Sequence, residues 1–245
     1  MTEHSRHSIR HEQALEKLRA GNGRFVQNVR CIEAIATQHR RDLLVAGQAP
    51  FATILSCSDS RVPSDLVFDC GLGDLFIVRV AGNIVAPSIV GSVEFAATAF
   101  GTELVVVMGH TRCGAIKATV NMLAGEGGDL STNVRDIVDR IAPSISDIVS
   151  SANHDENAIH AATRANVRAS ANHLRRGSPI LASRIAEGRL VVVGAEYALE
   201  TGRVDFFDIP PAQLWRAPGG QRQSRSPDTS SDFARVARAK LALFQ

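Results

Sequence analysis

The sequence predicts an α/β fold: a mostly parallel central sheet of four to five strands, covered by helices and preceded by an N-terminal helical arm. Three observations carry that expectation. Short, nearly continuous apolar runs alternate with longer helical patterns, as in parallel strands buried on both faces and joined by crossover helices. Glycines or other small residues stand where several runs end, which suits close backbone approach at strand ends. The chain has 245 residues and no internal repeat, enough for one large domain.

Taken in order, His11 to Val29 reads as a helix, with Ala14, Leu15, Leu18, Phe25 and Val26 at helical spacing and Gly21 and Gly23 weakening its middle. A second short helix is expected over Ile35–Leu44. Together they form the arm, which packs on its own sheet or on a partner subunit. Strand one is Phe51–Ser56, followed by a turn at Cys57–Arg61 and a short helix from Pro63 to Phe68. Gly71–Asp74 is a turn, Leu75–Val80 is strand two, and Ala81-Gly82-Asn83 closes it. A slim helix, capped by Ser88 and running to Phe100, precedes strand three at Glu103–Met108. Helices follow at Gly114–Leu123, Thr132–Val149, Glu156–Leu174 and Ser178–Glu187, with a Gly-rich loop at 125–129. Arg175-Arg176-Gly177 ends the third of these, with cations in the last turn and then glycine. Arg189–Gly194 is strand four, and Arg203–Phe207 is an antiparallel edge strand. Residues 1–217 are read as a single domain. Residues 218–245 are read as a flexible tail, with a possible amphipathic helix at Asp232–Leu243.

A formal charge of +2 with 21% charged residues gives no strong field, which argues against nucleic acid or a membrane surface as the main partner. The polar N-terminus lacks the apolar core of a secretory signal, and no apolar run is long enough to span a bilayer. A cytoplasmic location is the expectation, with reduced cysteines. Of the four cysteines, Cys31 and Cys70 read as small buried hydrophobes.

The other two carry chemistry. Cys57 follows strand one, and His110-Thr111-Arg112-Cys113 follows strand three. Ligands in open α/β sheets bind outside the carboxyl ends of strands. Two thiols and one imidazole there make three ligands of a zinc site with a fourth place open, the catalytic rather than the closed structural pattern. Asp59 could orient a zinc-bound water or fill the fourth position itself, and Arg61 could hold it off the metal through a bidentate pair. Alone, Cys-x-Asp-x-Arg is a weak signal and reads as a surface ion pair. The joint placement at two strand ends is what favours zinc.

The blocks Cys57-Ser58-Asp59-Ser60-Arg61-Val62-Pro63, Gly73–Phe76 with Arg79–Asn83, Gly91–Phe95 and Gly109–Gly114 resemble the β-class carbonic anhydrases, as does the lead-in Leu18–Phe25. The likeness runs from about Ala14 to Phe207. It implies a β-carbonic anhydrase-like fold, zinc on Cys57, His110 and Cys113, and an Asp59–Arg61 dyad, with Asp59 a ligand only in a closed state. It also implies a homodimer or homotetramer with the active site at the subunit interface. Gln48 stands where plant-type members bind substrate with a glutamine, and Phe76 at an apolar wall position. Phe95 stands where the family often has Tyr. Arg79 and Tyr197 match two bicarbonate contacts of an inhibited bacterial subgroup, whereas Ile54 stands where that subgroup has Trp.

The implied reaction is reversible hydration of CO2 to bicarbonate and a proton by zinc-bound hydroxide. CO2 would rest on Phe76, Phe95 and Val80, and Gln48 and the Gly114 amide would bind product oxygens. Two thiolates leave less positive charge on zinc than three imidazoles would, so its water is less acidic and activity should rise at alkaline pH. His154, His160 and His173 are proton-shuttle candidates by chemistry alone; solvated helical histidines are the plainer reading of each. The rival readings are a related zinc hydrolase acting on carbonyl sulfide or carbon disulfide, and a non-catalytic zinc-binding regulator or scaffold component. Nucleotide binding is disfavoured, since no G-x-G-x-x-G or phosphate loop follows a strand.

Overall fold

The computed structural model describes residues 9–31, 37–151 and 155–211. Its sheet has five strands: β1 (Ala52–Ser56), β2 (Leu75–Arg79), β3 (Leu104–His110), β4 (Val191–Tyr197) and β5 (Val204–Asp208). Their order is β2-β1-β3-β4-β5. The first four are parallel, and β5 runs antiparallel to β4 with a bulge at Gly194/Ala195. The expected mostly parallel sheet with one antiparallel edge is therefore present.

Eight helices surround it among the described residues: α1 (His11–Val26), α2 (Gln38–Leu44), α3 (Ser64–Val67), α4 (Pro87–Phe95), α5 (Gly114–Leu123), α6 (Thr132–Ser151), α7 (Glu156–Arg176) and α8 (Pro179–Ala186). Strand parity sorts the core. Ile54, Leu75, Val106 and Val193 face Ala14 and Leu18 of α1, whereas Leu55, Val78, Val107 and Val192 face α4, α7 and α8. A third cluster lies beyond the carboxyl ends of the strands, where Ile116 of α5, Ile141 and Ile145 of α6 and Ala162 of α7 close over Cys57 and Cys113. Burial of several such side chains, at roughly 1.5–3 kcal/mol each, is what fixes those strand ends in place. None of the described helices is long and apolar enough to cross a membrane.

Several boundaries move. The helix expected to cap at Ser88 begins one residue earlier, with Pro87 in its first turn, where the missing N–H costs nothing. It yields at Phe95 to a π-helical turn, Ala96–Phe100, which Gly101 ends at φ 69°. β3 and β4 outrun their apolar cores, because ladder pairing continues through Gly109↔Glu196 and His110↔Tyr197. α2 begins at Gln38, where the Thr37 hydroxyl accepts the Arg40 N–H at 3.2 Å. The earlier part of that expected helix, at 32–36, and the tail from 212 onward lie outside the described residues.

Candidate metal centre

Each of the three soft donors is positioned by the end of an element. Cys57 directly follows β1, His110 is the last residue of β3, and Cys113 is the N-cap of α5. The neighbouring pairing of β1 and β3 brings them together. Their ligand atoms lie within 4.8 Å of one another, and all three residues are buried. The intervening turn is tight, with Arg112 in the left-handed region at φ 56°. It is pinned to the β4–β5 connection. The Thr111 N–H donates to Tyr197 O at 3.0 Å, and its hydroxyl accepts the Leu199 N–H and donates to Glu200 Oε2, each at 3.0 Å.

His110 Nδ1 lies 2.9 Å from Thr111 O, so that nitrogen carries the proton. Nε2 is then a lone-pair donor, and it is buried without a hydrogen-bond partner. An unpaired buried imidazole nitrogen beside two sulfurs fits a soft or borderline cation such as zinc. The sulfurs themselves are electrostatically prepared. The Cys57 thiol is pushed down, chiefly by the hydrogen bond from Cys113. The Gly82 N–H, 3.4 Å from Cys57 Sγ, works in the same direction. Cys113 is pushed up by the same pairing and by burial, against the first amides of α5. A bound cation favours deprotonation of both sulfurs.

Asp59 sits at the rim. Both its carboxylate oxygens are engaged by Arg61, and Oδ2 lies 3.9 Å from His110 Nε2. The Arg61 guanidinium holds the Asp59 carboxyl well below the usual carboxylate range. Arg79 braces the same loop from the end of β2, donating to Cys57 O at 3.0 Å and to Asp59 O at 2.6 Å.

The other expected site residues divide. Val80 packs against the cluster that contains Cys57 and Cys113. Gly114 opens α5 at the surface, so its N–H is among the helix's unpaired first donors. Phe76 and Phe95 form an aromatic trio with Phe100, with centroids 5.5–6.1 Å apart, and Phe95 is 39% exposed. Gln48 is exposed and precedes β1, at the end of the sheet opposite Cys57. Ile54 is in the core. Tyr197 is buried with its ring 6.5 Å from Phe25, on the α1 face. Among the histidines, His160 pairs with the buried Glu196 at 2.8 Å, His173 sits in the last turn of α7, and His154 lies outside the described residues. Cys70 is a buried hydrophobe as expected, with burial pushing its thiol up to about 12, and Cys31 is half-buried.

Sequence reasoning missed three supports: the Arg79 brace, the Gly82 amide on Cys57, and the Thr111–Glu200 anchor. Only Gly82 left a signal, since a glycine closing a strand next to a ligand marks close approach.

Residues 52–204 match the family model described as carbonic anhydrase. "Carbonic anhydrase 2" of Mycobacterium tuberculosis is 37% identical over 199 residues, covering 80% of this chain and 92% of that protein. "Carbonic anhydrase" of Mycolicibacterium smegmatis is 38% identical over 195 residues, covering 79% and 91%. Among solved structures, the β-carbonic anhydrase CcaA superposes with a TM-score of 0.61 at 26% identity, covering 82% of this chain and 94% of that one. A tetrameric β-carbonic anhydrase of Sordaria macrospora gives 0.61 at 22% identity, covering 80% and 95%.

Proposed function

The chain belongs to the β-class carbonic anhydrases, and on that premise we propose that it hydrates CO2 reversibly to bicarbonate and a proton with one zinc ion per subunit. Cys57, His110 and Cys113 would hold the ion. The observation that carries this reading is the convergence of three buried soft donors, one an imidazole nitrogen without a partner. When bound, zinc would supply a Lewis acid that lowers the pKa of its water and so makes it nucleophilic.

The chain's own residues do the rest. Asp59, ionised and gripped by Arg61, is an acceptor-only group that orients the attacking water through the hydrogen it accepts. Arg61 also keeps that carboxylate from closing the site as a fourth ligand. The Arg79 bonds to the loop carbonyls hold the dyad's backbone in register with Cys57. Val80 offers apolar surface for CO2, and the Gly114 N–H offers a donor to product oxygens. Phe76, which pairs with Thr53 near the start of β1, and Phe95, packed on it, stand away from Cys57 and would line the site only from a second copy.

Gln48 serves the reaction only across a subunit boundary, since it stands at the far end of its own sheet. That placement supports a dimer or tetramer in which one copy completes the other's site. The Sordaria macrospora structure is described as tetrameric. Substitution of Cys57 by Ser tests the assignment: zinc content and CO2 hydration are expected to fall together. A Cys57→Ser protein that keeps both overturns it.

A further inference from the structure

CO2 hydration releases one proton per turnover, and the residues above do not carry it away. We propose that it leaves through Glu196 and His160, running under α7 from the metal centre to the surface, with Asn83 positioning the water that feeds them. This rests on the proposed CO2 hydration.

The line starts beside a ligand. Gly82 donates its N–H to Cys57 Sγ, and the next residue, Asn83, is 1% exposed. Its Nδ2 is buried with no hydrogen-bond partner. Asn83 Oδ1 lies 3.7 Å from where a Cβ on Gly109 would be, so Asn83 abuts the residue that precedes His110. Gly109 pairs with Glu196 on β4. Glu196 is 5% exposed, and its Oε1 is also buried and unpaired. Asn83 and Glu196, each with one buried polar atom lacking a hydrogen-bond partner, thus neighbour the same glycine next to the metal centre. A water held between them would accept from Asn83 Nδ2 and donate to Glu196 Oε1. The second oxygen of Glu196 lies 2.8 Å from His160 Nε2, and the His160 ring is 49% exposed.

The charges around the relay keep it poised. Arg164 of α7 lies 3.2 Å from Glu196 and also pairs with Asp205 of β5. Glu156, one turn before His160 on α7, is paired with Arg112. Burial raises the Glu196 carboxyl above its ordinary value, which brings it towards the range of an imidazole. In each turnover the Glu196 carboxylate takes one proton from the water at Oε1 and becomes a carboxylic acid. That same proton turns to the Oε2 side and passes to His160 Nε2, and the imidazolium loses its Nδ1 proton to solvent. Solvent exchange at the half-exposed ring then restores the Nδ1–H tautomer, so carboxylate and imidazole are both regenerated. One proton enters and one leaves.

The test uses the zinc-loaded full chain in weak buffer. His160→Ala is expected to lower kcat about ten- to hundredfold. It should leave kcat/KM unchanged, because CO2 conversion precedes proton release, and added imidazole should restore kcat. Glu196→Gln should show the same split. If Glu196→Gln fails to fold, His160→Ala, altered at a half-exposed side chain, decides alone. An undiminished kcat in His160→Ala, or kcat and kcat/KM falling in parallel without imidazole rescue, overturns the relay. Absence of CO2 hydration in the zinc-loaded wild type overturns the function and the relay together. Hydration with His160→Ala unimpaired overturns the relay alone.

Discussion

Arg61 grips Asp59 at both carboxylate oxygens: Nε lies 3.0 Å from Oδ1, Nη2 lies 2.7 Å from Oδ2, and the Arg61 N–H adds a third bond to Oδ1 at 2.9 Å. The sequence allowed Asp59 two directions, towards Arg61 or into the metal centre. In the structure it points to Arg61. The pair is charge-assisted and bidentate, a strong and directional arrangement.

Breaking that grip separates the roles of the two residues from those of the ligands. Asp59→Ala and Arg61→Ala are expected to retain zinc, measured by elemental analysis, and to lose about 10- to 100-fold or more of CO2 hydration. Full hydration in either variant contradicts the dyad.

The same pair makes a prediction about stability. Asp59 has a lower pKa folded than unfolded, because Arg61 favours its charged form. Its contribution is therefore fully present above the ordinary carboxylate range near ~4 and is lost as pH falls below it. Urea midpoints of the wild type and Asp59→Asn should differ by a constant amount above about pH 5 and converge in acid. A difference that grows in acid would have the wrong sign.

Since Asp59 stays ionised, it cannot shape the rate above neutrality. Two thiolate ligands weaken the acidity of zinc's water relative to three imidazoles, so initial hydration rates should climb between about pH 7 and 9. A flat profile over that range contradicts the thiolate assignment.

Gly82 is constrained twice. Its φ is 68°, and an added Cβ would lie 2.8 Å from Ile141 Cδ1 and 3.1 Å from Ala115 Cβ. Gly82→Ala is expected to cost about 1–3 kcal/mol in a denaturant melt. It should also speed zinc loss to a chelator, since it shifts the amide bonded to Cys57. An unchanged zinc off-rate would mean that this amide contributes nothing to the centre.

Much of this arrangement was legible in the residues themselves. Continuous apolar runs marked the parallel strands, and Cys57, His110 and Cys113 were readable as candidate ligands that the fold brings together, because each follows or ends such a run. Strand ends were harder. Gly109 and Gly194 look like terminators, yet ladder pairing carries β3 to His110 and β4 to Tyr197. The direction of the Arg79 side chain was not legible, because its partners are backbone carbonyls far along the chain. The His160–Glu196 contact was hidden for a related reason. The histidine looks solvated on its helix, and only the register of β4 against β3 places a buried carboxylate beneath it.

The central claim is that Cys57, His110 and Cys113 hold the zinc with which this chain hydrates CO2. Stopped-flow CO2 hydration, measured before chelation, after verified zinc removal and after zinc is returned, tests it most directly. The account predicts hydration by the zinc-loaded protein, its loss on removal and its recovery on return. Hydration that persists in protein verified to be free of metal, or none at all in the zinc-loaded protein, would contradict it.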